Sequence, residues 1–197
     1  LGVAGLRVVC TTRNGGVSKM RFAGANLATH VGDDQASVAA NRRAFQAATG
    51  VESIQWLDQV HGTDVVEARP DGGGTPLTAD ACWTRIVGRA VEVLTADCVP
   101  IAIVPEDASF VSVAHCGWRG ATSGIVGEVL GRVPKDSGRL RAWLGPGICG
   151  RCYEVGTEVA DAVASPFASE CLKASSRTGH WFFDLPRYLR RQLEDQG

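Results

Sequence analysis

A cysteine and a histidine stand near the two ends of one predicted β-hairpin. Cys98 and His115 are 17 positions apart. Between them, residues 101–104 and 110–114 are short apolar runs typical of buried strands, and residues 105–108 are typical of a turn. A tight turn at the centre of 105–108 sets Cys98 directly opposite His115, with Cα atoms about 5 Å apart. The sequence therefore predicts that a thiol and an imidazole converge.

A second histidine offers the third group that a reactive site needs. His61 precedes a glycine and lies between two short β-type runs. Two imidazoles and one thiolate are good ligands for a borderline-soft ion, and three protein ligands leave a fourth position for water or substrate, as in catalytic zinc sites. A bound zinc ion lowers the pKa of water to about 7. The set His61, Cys98 and His115 thus indicates a catalytic metal site.

The same residues allow two other interpretations. Cys98 is a candidate nucleophile, with His115 as its base and His61 or Asp97 as the group that orients the base. A free cysteine is also often a small core residue, so a buried thiol with two hydrogen-bonded histidines would have no chemical role. The spacing by itself leaves all three interpretations open, because the three residues form no compact ligand motif.

Composition narrows the class of protein. The chain has 197 residues, of which 45% are hydrophobic and 21% charged, which is enough for one globular domain with a substantial core. A net charge of −1 provides no electrostatic attraction to nucleic acid or to an anionic membrane. Seven cysteines, an odd number, and the lack of a secretory apolar segment favour a reduced, cytoplasmic setting.

The secondary-structure pattern indicates a loop-rich α/β chain, which agrees with its 24 glycines. Asp34 is a favourable N-cap for a helix over 35–49, which Gly50 would end. We expect further helices over 154–163 and from Pro186, at the first helical position, to Leu193. Strands are predicted at 6–12, 54–57, 63–67, 80–84, 90–95 and 140–145.

Two further motifs have less specific chemistry. Arg119 lies in the glycine-rich segment 117–124, which precedes an apolar run. A helix that starts there would offer backbone N–H groups to an anion, and Arg119 would add further donors. The segment matches neither the P-loop nor the dinucleotide-binding fingerprint.

Cys149 and Cys152 form a lone CxxC. A structural zinc site would need two more ligands, and no thioredoxin-like unit surrounds the pair, so we interpret this spacing as coincidence.

Short motifs that follow one another in a fixed order resemble a known family. They are residues 11–18, 26–27, 31–34, 41–42, 59–62, 95–100, 114–120, 144–146 and 153–156. Their order and spacing are similar to those of the bacterial polyphenol oxidase or laccase-domain proteins, more recently called purine nucleoside phosphorylases. The resemblance covers nearly the whole chain. It implies one α/β domain of α+β type over residues 1–197, with a mixed β-sheet core flanked by helices.

The resemblance also implies an activity. It implies a zinc site made by His61, Cys98 and His115, with copper as a possible occupant, and phosphorolysis of adenosine, inosine and methylthioadenosine. Purine nucleoside and phosphate would then be the partners, and adenosine deamination a companion activity. Phenol oxidation is a further activity claimed for the family. Editing of peptidoglycan precursors is claimed for some members, and that reaction would suit a cysteine hydrolase or amidase. A non-enzymatic binding protein is the remaining alternative.

Residue roles follow from this resemblance and from general chemistry. Cys98 and His115 are candidate catalytic residues, and Asp97 is a candidate proton carrier for deamination. Arg42, Arg119 and Gln59 are candidate substrate or phosphate ligands.

Three features depart from the family pattern. Cys116 stands where alanine is usual, and the CxxC replaces a different family motif. Family members usually continue past the last helix into a segment rich in arginine and aromatic residues, and we expect that segment to be absent from this chain. Four histidines are too few for the copper cluster of a true laccase.

Overall fold

The structure, a computed structural model, describes residues 2–71, 74–163 and 165–197. The strands are β1 (Ser53–Gln55), β2 (Leu57–Asp58), β3 (Val65–Glu67), β4 (Leu77–Thr78), β5 (Ala81–Thr84), β6 (Arg89–Val91), β7 (Val99–Pro105), β8 (Val111–Cys116), β9 (Leu140–Leu144), β10 (Glu154–Gly156), β11 (Leu172–Ala174) and β12 (His180–Phe183). The helices are α1 (Gln35–Thr49), α2 (Trp118–Thr122), α3 (Ile125–Leu130), α4 (Thr157–Ala162), α5 (Ser165–Cys171) and α6 (Leu185–Asp195), and Met20–Phe22 form a 3-10 turn.

A five-stranded mixed sheet lies at the centre, in the order β3-β5-β8-β7-β9. The pair β3 and β5 is parallel, and the other three pairs are antiparallel. Three smaller sheets pair β1 with β6, β2 with β4, and β10 and β11 with β12. This mixed α/β arrangement confirms the expected fold class. No helix in the described segments is both long and apolar enough to span a membrane.

Two apolar clusters lie against the central sheet. Adjacent residues of β5 belong to different clusters, Ala81 to the larger and Cys82 to the smaller, because successive side chains of a strand point to opposite faces. The larger cluster includes Ile125 of α3 and Leu189 of α6, both fully buried. Two helices therefore pack against the face of the sheet that carries the larger cluster, which includes residues of β7 and β8.

The register of the central hairpin differs by two residues from the prediction. Pro100, not Cys98, lies opposite His115. The connection is longer than a tight turn because Ala108 adopts a left-handed conformation, with φ of 55°, and Phe110 is buried against Trp83 rather than paired in the strand. A shift of two residues keeps every side chain on its predicted face.

The ends of the helices follow local sequence signals in part. Asp34 accepts a hydrogen bond from the Ser37 N–H at the start of α1, and Gly50 ends this helix in a left-handed conformation, both as predicted. Asp184 caps α6, which begins at Leu185, so the proline occupies the second position rather than the first. The helix predicted from residue 154 begins at 157, because residues 154–156 pair with β12.

One predicted strand is missing from the structure and another is shorter than predicted. Residues 6–12 form no strand in the described chain, and Val8 and Val9 are 38% and 48% exposed. An apolar run becomes a strand only where a partner supplies hydrogen bonds, which sequence periodicity does not reveal. The strand predicted over 90–95 is limited to Arg89–Val91.

Candidate metal site

Three separate segments bring His61, Cys98 and His115 together. Their ligand atoms all lie within 4.8 Å of one another. His61 lies in the loop after β2, Cys98 immediately precedes β7, and His115 is in β8. The three side chains are respectively exposed, half-buried and buried. The group therefore lies at the end of the central sheet, with one side open to solvent, and the predicted convergence occurs despite the shifted register.

The donor set fits a zinc ion. Zinc takes nitrogen and sulfur ligands tetrahedrally at about 2.0–2.3 Å, which places ligand atoms about 3.5 Å apart. The observed limit of 4.8 Å is close enough for small side-chain rotations to close such a shell. The two imidazole rings meet edge to face, with centroids 4.8 Å apart and an interplanar angle of 68°, so their nitrogens approach without stacking. Copper accepts the same imidazole and thiolate donors.

Asp80 organises the site, although the sequence analysis assigned it no role. Its carboxylate is fully buried at the start of β5 and accepts backbone N–H hydrogen bonds from Val60 (3.1 Å), His61 (3.0 Å) and Gly62 (2.7 Å). The same carboxylate lies 2.8 Å from His115 Nδ1. One side chain thus fixes the loop that carries the first histidine and the ring of the second.

The Asp80 contact also sets the tautomer of His115. An ionised carboxylate only accepts hydrogen bonds, so Nδ1 must donate to it. In the neutral ring, Nε2 then carries a free lone pair that can bind a metal. A metal-binding histidine usually donates its other ring N–H to a carboxylate or a carbonyl, as His115 does here. The only sequence signal for this role was a single acidic residue at the start of a predicted buried strand.

The pKa values reflect these contacts. Burial disfavours the charge on Asp80, but hydrogen bonds from His115 and from the Gly62 and Val60 amides outweigh burial and lower its pKa. Burial likewise opposes the charged form of His115, and its hydrogen bonds with Asp80 and Cys98 outweigh burial and raise its pKa to about 9. Burial and the nearby His115 lower the pKa of His61. Because a metal binds the neutral ring, binding at His115 would release a proton.

Backbone geometry brings the ligands this close. His61 has a φ of 58°, which is uncommon for a residue other than glycine, and the three amides bound by Asp80 hold it there. Cys98 and Gly117 flank the last rung of the β7–β8 ladder, Val99 with Cys116. A Cβ on Gly117 would lie 2.9 Å from His61 Nδ1 and 3.1 Å from Cys98 Sγ. The lack of a side chain at position 117 therefore makes room for both ligand side chains.

Gly117→Ala is expected to reduce zinc affinity by about 10–100-fold while the protein stays folded, because a displaced ligand costs at least as much as a lost outer-shell contact. The measurement is zinc competition with a chromophoric chelator, alongside thermal unfolding. Gly127→Ala is the matched control, since a Cβ at position 127 meets nothing within 4 Å. Equal zinc affinity in the two variants would contradict this account of Gly117.

Gln59 and Arg42, two of the predicted substrate residues, both make hydrogen bonds to the protein backbone. Both polar atoms of the Gln59 side chain pair with the backbone of Leu94, at 2.8 and 2.7 Å, which ties the His61 loop to the segment before Cys98. The second N–H and the second oxygen lone pair of the Gln59 amide stay available for a further partner. The Arg42 guanidinium lies 3.7 Å above the Trp56 ring and donates to the Leu27 carbonyl at 2.8 Å. Arg42 is thus held between the Trp56 ring and the Leu27 carbonyl.

The open side of the site carries both signs of charge. Arg119, in α2, is 3.7 Å from Glu158 and remains 59% exposed; its positive charge contributes to lowering the pKa of His61. Asp97 is exposed beside Cys98. Burial, followed by the charge of Cys98, raises the pKa of Tyr153, and Arg119 and Asp97 also act on that pKa. Tyr153 is thus a further polar group near the site.

The glycine-rich segment after β8 is not the single helix start that the sequence suggested. Residues 118–122 are themselves helical, capped by Gly117, and Gly124 separates them from α3. Gly120 approaches the Gly62 carbonyl, where an added Cβ would lie 2.8 Å from the oxygen. The glycine-rich segment 117–124 therefore contains the whole of the short helix α2 and the N-cap of α3.

The additional cysteines occupy contrasting environments. Cys116 is completely buried in the larger apolar cluster, and burial raises its pKa, with the nearby Cys98 and Asp80 adding to this effect. Cys149 and Cys152 are exposed, with their sulfur atoms 3.3 Å apart.

Sequence comparisons agree with this architecture. A purine nucleoside phosphorylase of Pseudomonas aeruginosa, PA4543, is 38% identical over 196 residues, which cover 98% of this chain and 79% of that protein. The Escherichia coli K12 protein named purine nucleoside phosphorylase YfiH is 33% identical over 197 residues, with 98% and 79% covered.

Solved structures and a family profile give the same assignment. A Neisseria meningitidis protein, NMB0706, superposes with a TM-score of 0.86 at 37% identity, covering 95% of this chain and 77% of that one. YlmD from Geobacillus stearothermophilus superposes with a TM-score of 0.82 at 30% identity, covering 95% and 75%. The family described as multi-copper polyphenol oxidoreductase laccase matches residues 7–197. The chain therefore belongs to this family.

Proposed function

We propose that the protein is a zinc-dependent purine nucleoside phosphorylase whose metal is held by His61, Cys98 and His115. The observation that carries this proposal is the convergence of the three ligand atoms within 4.8 Å, with Asp80 aligning the inner histidine. Relatives that carry the name purine nucleoside phosphorylase, at 38% and 33% identity over nearly the whole chain, supply the reaction class. Purine nucleoside and phosphate are accordingly the proposed partners.

The residues around the site have separate tasks in this proposal. A bound zinc ion would act as a Lewis acid that stabilises negative charge on an oxygen of phosphate or water. Asp80 keeps His115 in the tautomer that leaves Nε2 available. Arg119 binds phosphate, because its guanidinium is exposed beside the site and its contact with Glu158, at 3.7 Å, is long enough to exchange for an anion. Tyr153 and Asp97 would contact the nucleoside.

Two companion chemistries would use the same three residues. Adenosine deamination would use the same metal site with Asp97 carrying the proton; this carboxylate is exposed beside Cys98. Multicopper oxidation is disfavoured because the chain has only four histidines, and two of them, His30 and His180, lie outside the site group. A single copper ion on the three ligands would support at most weak phenol oxidation.

The second candidate function is a metal-free cysteine hydrolase or amidase acting on peptidoglycan precursors. The specific observation in its favour is that the Cys98 sulfur and a His115 ring nitrogen lie within 4.8 Å of each other, the arrangement by which a thiol nucleophile meets its base. Asp80 would then take the role of the orienting acid. The two functions differ in their metal requirement: a chelator leaves the hydrolase active and abolishes the phosphorylase.

Product analysis tests the proposed function directly. Zinc-loaded protein with a measured metal content is incubated with adenosine or inosine, with and without phosphate, and products are separated by chromatography. Free base and ribose 1-phosphate that form only with phosphate would establish phosphorolysis, and inosine from adenosine would establish deamination. A chelator-treated sample that regains activity with zinc is the control. A zinc-loaded sample that leaves both nucleosides unchanged would refute the proposal.

Arg119→Gln is expected to raise the KM for phosphate by about 10–100-fold with a smaller effect on kcat, because one charge-assisted hydrogen bond is worth about 1.5–3 kcal/mol. Initial rates at varied phosphate and fixed nucleoside provide the measurement. Arg190→Gln is the matched control, because Arg190 is similarly exposed (63%) and lies 3.4 Å from Glu194 on a surface helix. An unchanged phosphate KM in Arg119→Gln would remove Arg119 from the phosphate site.

A further inference from the structure

Beyond the proposed activity, we infer that Cys149 and Cys152 are a reversible dithiol site that forms an intrachain disulfide by exchange with small-molecule disulfides. The two sulfur atoms lie 3.3 Å apart, and both residues are exposed. The CxxC spacing by itself indicates coincidence, since neither a zinc-ligand set nor a thioredoxin-like unit is evident around it in the sequence. The tertiary structure supplies the missing observation, which is that the two thiols point at each other.

The backbone at this position suits a disulfide. The Cys152 N–H donates to the Cys149 carbonyl at 2.9 Å, so residues 149–152 form a β-turn. The ends of a β-turn have Cα atoms less than about 7 Å apart, and disulfides span Cα distances of about 4.4–6.8 Å. Closing the bond therefore needs side-chain rotation and little backbone movement.

The turn is held firmly on the protein surface. A Cβ added to Gly150 would lie 2.7 Å from the Asp184 Cβ, so glycine lets the turn pack directly against the N-cap of α6. The Ile148 N–H, one residue before the turn, donates to the Asp97 carbonyl at 2.7 Å. The pair is thus fixed in place and borders the segment that carries Cys98.

The two thiols are electrostatically unequal. The hydrogen bond with Cys152, then the Arg151 amide and the Arg151 charge, lower the pKa of Cys149. The same interaction raises the pKa of Cys152. The Arg151 amide, which hydrogen-bonds Cys149, would stabilise a thiolate there, so we assign Cys149 as the attacking thiolate and Cys152 as the resolving thiol.

The reaction balances with a small disulfide as oxidant. The Cys149 thiolate attacks one sulfur of the small disulfide, whose S–S bond breaks and releases one thiolate. Cys152 then loses its proton and attacks Cys149 Sγ, forming the intrachain bond and releasing the second thiolate. The protein loses two electrons and two protons, and the small disulfide becomes two thiols.

Redox titration with glutathione tests this inference without reference to catalysis. Reduced, zinc-loaded protein is equilibrated anaerobically at several ratios of reduced to oxidised glutathione, quenched in acid, alkylated and mapped by peptide mass. We expect a peptide linked between Cys149 and Cys152 that reverts fully to two alkylated thiols on reduction. Cys10, which is exposed and whose sulfur lies 3.8 Å from the Thr11 carbonyl oxygen, is the internal control and should form only a mixed disulfide.

The stoichiometry provides a sharper readout. At a fixed glutathione ratio, doubling total glutathione should halve the ratio of intrachain disulfide to dithiol, because two thiols are released per bond. The mixed disulfide at Cys10 should not change, because its formation releases one. Cys152→Ser should trap glutathione on Cys149. The inference is overturned if both cysteines stay alkylatable where Cys10 is already modified, or if their modification shows no dependence on total glutathione.

Discussion

Asp80→Asn is expected to lower the free energy of unfolding by about 2–6 kcal/mol and zinc affinity by at least 10–100-fold. The carboxylate accepts four hydrogen bonds, two at each oxygen, from His61 N and His115 Nδ1 and from the amides of Val60 and Gly62. An asparagine amide retains one oxygen, so its NH₂ group faces two donors in a fully buried position. Each unsatisfied buried group costs about 1–3 kcal/mol.

The effect on the metal follows from the same exchange. If the amide NH₂ faces His115, Nδ1 must become the acceptor, and the ring proton moves to Nε2, the nitrogen that a metal needs. If the NH₂ faces the loop, the amides beside His61 lose their partner and the ligand loses its fixed position. Either orientation of the amide therefore weakens one histidine ligand.

Thermal unfolding and zinc competition measure the two consequences separately. Asp64→Asn is the matched control, because Asp64 is exposed and lies only three residues after His61. Stability and zinc affinity equal to those of the parent protein would show that Asp80 does not organise the site.

Cys98→Ala is expected to abolish stoichiometric zinc binding and phosphorolysis while the protein remains folded. The substitution leaves two histidine ligands, fewer than the three that catalytic zinc sites use. The activity loss should exceed the 10–100-fold typical of outer-shell changes. Stability should change little, because the thiol is only half-buried and its removal opens space toward solvent.

Cys116→Ala is the control for this prediction. It makes the same chemical change eighteen positions later, at a residue that is completely buried in the core. This variant should lose about 1 kcal/mol of stability and keep its zinc. If Cys98→Ala binds one zinc ion per chain as tightly as the parent protein, Cys98 is not a ligand. Activity that survives chelation in the parent protein but not in Cys98→Ala would instead support a cysteine nucleophile.

The sequence by itself determined features that depend on neighbouring residues. The caps of α1 follow from Asp34 and Gly50, since a cap is a contact within a few residues of the helix end. The types of the three ligand residues indicated metal chemistry, and their placement around short strands indicated convergence. The predicted convergence is confirmed although the predicted hairpin register was wrong, because a slip of two residues preserves the face on which each side chain lies.

Only the tertiary structure decided the contacts that join distant segments. Asp80 is a buried residue between two strands in the sequence, and nothing local shows that its carboxylate meets three amides and an imidazole from two other segments. The closeness of Gly117 to His61 and Cys98 is likewise a property of three chain segments packed together. The strand predicted at 6–12 was wrong for the same reason: a β-type run of residues is a local feature, whereas strand pairing needs a partner that only the folded chain supplies.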